Sequence, residues 1–104
     1  MKIYYLLLEG RPSVNNEESE EVAGAYINCW IKAKDEAAAK EKAIDFVTAE
    51  GWDMVGIEEI CTAKRERYAD LPDSLECYEQ AIFCGIGVIF YTWPIDAEDR
   101  DVVP

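Results

Sequence analysis

Histidine is absent from the 104-residue chain. That removes the one side chain whose ordinary pKa lies near neutral pH, and with it the default general base. Any acid–base chemistry would fall to carboxylates or thiols. Basic residues are scarce as well: 10 Lys and Arg stand against 22 Asp and Glu, a net charge of −12. A surface of that sign repels phosphate backbones, and no stretch interleaves bases with aromatics, so the expectation is no nucleic-acid partner. Long apolar runs are missing too. Ile3 to Leu8 is six residues, too short for a signal-peptide core and far short of the roughly 20 needed to cross a bilayer. No membrane partner is expected, and the expected location is cytoplasmic. Paired cysteine motifs are also lacking. The four cysteines stand at 29, 61, 77 and 84 with no Cys-x-x-Cys among them, and a zinc site would have to gather all four thiolates from widely spaced positions. Their apolar and aromatic neighbours suit reduced thiols packed as small hydrophobes. Neither a metal nor a cofactor is expected.

Half of the residues are apolar and 12% are aromatic, well above the level at which a chain fails to collapse. A domain of this length buries roughly 60 to 70% of the surface its unfolded chain exposes, so no disulfide or metal is needed to hold it. One domain over 1–94 is expected, followed by a charged, flexible tail over 95–104.

The residues 2–9, KIYYLLLE, are rich in β-branched and aromatic types and read as a central strand. A Gly-, Pro-, Asn- and Glu-rich loop follows over 10–21. From 22 to 34 the sequence alternates, with Ala25, Ile27, Cys29 and Ile31 on one face and Tyr26, Asn28, Trp30 and Lys32 on the other. This predicts a strand paired antiparallel with the first. Residues 35–51 read as a helix, with Asp35 as its cap, Gly51 as its stop, and Ala39, Ala43, Phe46 and Val47 as its apolar stripe. Strand character resumes over 52–63, where the adjacent Glu58 and Glu59 break the alternation and predict a bulge or an edge. The strand is expected to run on into KRERY, 64–68. A second helix is predicted from Pro72–Ser74 to Cys84, capped by Asp73 or Ser74, with Leu71, Leu75, Tyr78 and Ile82 as its stripe.

The stretch FCGIGVIFYTWP, 83–94, carries a Gly-x-Gly. A dinucleotide fingerprint needs strand, glycine turn and helix in that order, so that the helix N-terminus meets the pyrophosphate. Here the order is helix, glycines, strand. Gly85 therefore reads as a helix stop and 86–93 as a buried strand closed by Pro94. The element order is β-β-α-β-α-β. Its expected architecture is an α+β two-layer sandwich of ferredoxin-like layering: a four-stranded mixed sheet with both helices on one face. The other face would stay uncovered, with Tyr26, Trp30, Tyr91 and Trp93 on it as a partner or dimer surface.

No catalytic constellation is present. The acidic run Glu17 to Glu21 reads as a solvated loop, and Lys64, Arg65 and Arg67 form the one basic cluster, either a charged strand end or an anion or partner contact. Small size, acidity and an uncovered sheet face favour a non-catalytic protein-binding or regulatory module. Its partner is another protein or a second copy, and an inhibitor- or immunity-like protein acting on a basic target is a special case. The alternative is a small-ligand sensor domain working as a dimer. An enzyme ranks last, with Cys61 or Cys29 beside carboxylates as its nucleophile.

Overall fold

The computed structural model describes residues 1–95; most of the expected tail, 96–104, lies outside the described residues. The strands are β1 (Lys2–Pro12), β2 (Val22–Ala33), β3 (Trp52–Thr62) and β4 (Ile86–Pro94), and the helices are α1 (Glu36–Ala49) and α2 (Pro72–Cys84). Short 3-10 turns occupy Glu17–Glu20 and Arg65–Tyr68. All the expected elements are present, in the expected order, but the basic stretch after β3 turns rather than extending the strand.

The sheet has the order β3-β1-β2-β4, and every neighbouring pair is antiparallel. This corrects the expected mixed sheet. The β2-α1-β3 join does make its two strands parallel to each other, but β1 lies between them and pairs antiparallel with both. The join through α2 links β3 and β4, which lie at opposite edges and run in opposite directions. A parallel crossover is required only when the chain re-enters beside its parallel mate, and here it travels to the far edge instead.

The placement of the helices is a second correction. Ala39, Ala43 and Val47 of α1 pack with Leu6, Leu8, Ile27, Cys29 and Ile31 on one sheet face. Cys77 and Ala81 of α2 pack with Ile3 and Trp30 on the other. The molecule is thus layered helix, sheet, helix. The reason is visible in β2, where the adjacent residues Trp30 and Ile31, pointing to opposite faces, are 1% and 0% exposed. A central strand apolar in both phases needs cover on both sides.

Helix α1 forms as its sequence dictates. The Ala38 N–H donates to Asp35 Oδ1 at 2.8 Å, Glu36 lies in the first turn, and Gly51 follows with φ 92. Its two buried alanines let it lie flat on the sheet, and the Gly51 carbonyl accepts from the Ser13 N–H, the Ser13 hydroxyl and the Asn16 amide, pinning the acidic loop to this end. Helix α2 begins at Pro72 without a side-chain cap, so neither Asp73 nor Ser74 fills the expected role. Of its expected stripe, Leu75 and Tyr78 pack half-buried against the core and Leu71 and Ile82 are exposed, while the fully buried residues are Cys77 and Ala81. The stripe is turned toward small residues because the helix sits on a glycine. A Cβ on Gly87 would come within 2.9 Å of both the Cys77 carbonyl carbon and its Cα, and nearer still to the carbonyl oxygen. The two glycines of the Gly-x-Gly thus act separately: Gly85 ends α2 at φ 93, and Gly87 is the seat on which α2 rests. Among the described residues no helix is long and apolar enough to cross a membrane.

Candidate functional site

The sheet face beneath α2 is covered over only part of its length. Cross-strand registers place its side chains in rows, and the row Cys61–Tyr5–Trp30–Gly87 lies under α2 and the 3-10 turn. The next row is Glu59–Leu7–Asn28–Ile89, followed by Gly56–Glu9–Tyr26–Tyr91 and then by Gly24 beside Trp93. The last two rows are open.

Under the cover, Trp30 is the centre of an aromatic cluster. Its ring lies 5.3 Å from that of Tyr5 and 5.6 Å, edge-on, from that of Tyr68, which in turn lies 5.9 Å from Tyr78. Trp30 is therefore a core residue and not part of the exposed surface expected of it. Alternation assigned its face correctly, but the extent of α2 along that face cannot be read from alternation.

On the open rows, Tyr26 and Tyr91 are 44% and 54% exposed. Trp93 lies across Gly24, where a Cβ would meet the indole at 2.5 Å, and it stacks on Tyr26 with ring centroids 5.2 Å apart. Three of the four expected aromatics therefore gather on β2 and β4. The neighbouring strands present charge instead: Glu9 on β1 and Asp53 on β3, with Arg11 opposite Asp53, while Glu59 lies one row nearer α2, beside Arg67. The bulge foreseen at Glu58 and Glu59 is there, in a strand that is also an edge, and a second irregularity lies between Met54 and Gly56. The open surface is thus aromatic on one side and charged on the other, with the carboxylates of Glu9 and Asp53 beside the guanidinium of Arg11.

The basic cluster is split. Arg65 pairs with Glu79 and ties the 3-10 turn to α2, and Lys64 is exposed ahead of the turn. Arg67 reaches the sheet: it lies 3.7 Å from Glu59, donates to the Cys61 sulfur at 3.4 Å, and its guanidinium carbon is 5.9 Å from the centre of the Tyr5 ring. Between this arginine and the aromatic cluster lies a cavity of about 290 Å³, with Trp30, Tyr68, Tyr5, Leu71, Glu59 and Arg67 in its walls. Composition and spacing gave no hint of this cavity. The signal available was Asn28, a lone amide in an apolar strand, whose Oδ1 accepts from the Tyr5 hydroxyl at 2.5 Å. Burial, followed by the charge of Glu59, pushes the Tyr5 hydroxyl up to about 12, and burial raises Tyr68 as well.

The cysteines are reduced and unpaired, in two settings. Cys29 and Cys77 are buried, Cys61 is half-buried, and Cys84 is exposed at the end of α2. Burial pushes the Cys29 thiol up to about 12 and raises Cys77, where Glu76 and Asp73 add to the effect. Neither buried thiol has the character of a nucleophile. Among the described residues no group of three or more Cys, Asp or Glu is arranged to hold a metal ion. Comparison of the chain with known protein families, with curated proteins and with solved structures finds no match.

Proposed function

We propose that the protein is a non-catalytic binding module that docks a basic protein partner on the open end of the sheet face. The observation that supports this reading is the pairing of surfaces: exposed Tyr26 and Tyr91 with half-buried Trp93 on β2 and β4, beside Glu9 and Asp53 on β1 and β3. Aromatic anchors supply binding energy at an interface, and carboxylates beside them select arginine- or lysine-rich surfaces and speed encounter. A net charge of −12 adds long-range attraction for such a partner. The same charge disfavours a second copy of this chain, since face-to-face pairing sets two acidic surfaces against each other.

Affinity capture with the purified protein, repeated with Tyr91→Ala/Trp93→Ala, tests the reading. The captured protein is identified by mass spectrometry and the complex reassembled from purified components. A basic partner that binds the wild type, is lost from the double variant and weakens steeply with salt is the expected result. Reassembly that is equally tight with the double variant, or indifferent to salt, overturns it.

A further inference from the structure

The sheet has two edges, and they are built differently. At β3 the pairing with β1 is interrupted twice and the strand carries Asp53, Glu58 and Glu59. Irregular pairing and charge both keep a further strand from adding to an edge. At β4 neither is present: its register with β2 runs unbroken from Ile86 to Trp93, and Ile86–Pro94 contains no charged residue. The Lys32 N–H donates to the Gly85 carbonyl at 2.9 Å, just before the strand. Hydrogen-bonded positions alternate along an antiparallel pair, so Gly87, Ile89 and Tyr91 turn their backbone groups to β2, and Ile86, Val88, Phe90 and Thr92 turn theirs outward. Among the described residues no strand meets that outward row. The side chains of Ile86, Val88 and Phe90 on the α1 face, and of Ile89 on the other, are only partly buried. Pro94, which has no N–H to offer, closes the row.

We propose that β4 pairs antiparallel with β4 of a second copy about a two-fold axis at Ile89, with Ile86 opposite the mate's Thr92 and Val88 opposite its Phe90, so that two four-stranded sheets join into one. This is the register that pairs all four outward residues with outward residues. It also keeps Ile86, Val88 and Phe90 of both copies on one face, where each chain covers the other's half-buried side chains. Charge favours a second copy in this orientation. Lys32 and Lys42 stand at the Ile86 end, where their Nζ atoms donate to the carbonyls of Ile82 and Lys32, with Asp45 the one acid lining the recess there. Exposed Glu20 and Glu21 stand at the Pro94 end, where the Glu21 carbonyl accepts from the Ile95 N–H. Antiparallel pairing sets the lysine end of one copy against the glutamate end of the other, and it leaves Asp53, Glu58 and Glu59 at the two far edges of the joined sheet. Edge pairing thus avoids the repulsion that face-to-face pairing would meet. Because the axis is perpendicular to the sheet, both open aromatic ends face the same way, and the dimer presents two docking surfaces to one partner.

The test combines sedimentation of the full-length protein at physiological salt with hydrogen exchange read amide by amide. A dimer at micromolar concentration is expected. In it the outward amides of Ile86, Val88, Phe90 and Thr92 should be protected like the inward ones of Ile89 and Tyr91, and dilution to the monomer should speed the outward set alone, by at least about tenfold. Thr92→Pro separates edge pairing from any other contact. Thr92 is exposed and its N–H points outward, so proline there removes no bond to β2 but blocks an added strand. It should weaken the dimer at least about tenfold, as should Thr92→Lys, which puts an ammonium on the edge and against the mate's lysine end. Circular dichroism confirms that each variant is folded. Tyr91→Ala/Trp93→Ala leaves the outward backbone row in place and should keep the dimer while losing the basic partner, so failure of edge pairing and failure of docking are read separately. A protein that stays monomeric at about 100 μM, or a dimer that Thr92→Pro leaves equally tight, overturns the proposal.

Discussion

Substituting Gly87 by alanine should loosen α2 from the sheet. The new Cβ would lie 2.9 Å from the carbonyl carbon and Cα of Cys77, both of them backbone atoms that no rotamer change can move. Ordinary carbon–carbon contact begins near 3.5 Å, so the helix must withdraw by more than about half an ångström, and a gap of that size forfeits a quarter to a half of the dispersion energy of each contact along the seat. Cys77, Ala81 and Trp30 lie along it. Overpacking of this kind costs about 1–3 kcal/mol, and the stiffer unfolded chain of alanine offsets about 0.4–1 of that. A net loss of about 1–2 kcal/mol lowers the melting temperature of a chain this size by roughly 4–10 °C. Urea unfolding is the assay, read as a lower midpoint at unchanged slope. Gly56→Ala is the control, because a Cβ there meets only the end of the Glu58 side chain, at 4.0 Å; a change within about 0.5 kcal/mol is expected. Faster labelling of Cys77 in the Gly87 variant would locate the loss at the helix. If Gly87→Ala is as stable as Gly56→Ala, α2 does not rest on this residue and the close-approach reasoning fails.

Thiol labelling of the native protein should proceed in phases, with Cys84 first, Cys61 more slowly, and Cys29 and Cys77 only on unfolding; four equal rates would contradict the assigned burial. Alkali should destabilise the fold. The Cys29 thiol moves from 9.0 to about 12 and the Tyr5 hydroxyl from 10.0 to about 12 on folding, so the unfolded chain releases these protons first, and stability present below pH 9 falls as pH rises toward 12. Thermal melts between pH 8 and 11.5 measure the decline, and Tyr5→Phe should make it shallower above pH 10; a flat profile would refute the assignment. Trp30→Ala should cost about 3–5 kcal/mol, as truncation of a fully enclosed aromatic does. In the wild type, Trp30 and Trp52 should resist a fluorescence quencher that reaches Trp93.

The elements were legible in the sequence because each is written locally. Asp35 and Gly51 bracket α1, the adjacent Glu58 and Glu59 announce a bulge, and Gly85 stops α2. Layering was not legible, because it depends on which face of the sheet a helix reaches after its connection, and both faces of β2 are apolar near Trp30 and Ile31. The stripe of α2 was legible only in part, Leu75 and Tyr78 packing inward and Leu71 and Ile82 not, for a related reason. Leucine and isoleucine spacing marks the bulky face of a helix, whereas a close seat on Gly87 selects the small residues Cys77 and Ala81. Of the site, the aromatics of β2 and β4 were visible and the cavity was not. Its walls come from β1, β2, β3, the 3-10 turn and the start of α2, which meet only through the sheet order.

The open surface follows from lengths rather than from any single side chain. Helix α2 has 13 residues and β2 has 12. At about 1.5 Å per helical residue and about 3.3 Å per strand residue, the helix spans roughly 20 Å of a strand roughly 40 Å long. At any crossing angle, one such helix and a short 3-10 turn leave part of that face to water. The residues left over, Tyr26 on β2 and Tyr91 and Trp93 on β4, lie in rows removed from that of Trp30, so they contribute little to the packing that holds α2. Tyr91→Ala/Trp93→Ala should therefore lower stability far less than Trp30→Ala does, and urea midpoints measure the contrast. If the double variant proves as damaging as loss of Trp30, the exposed aromatics are structural, and the partner surface has to be sought elsewhere on the molecule.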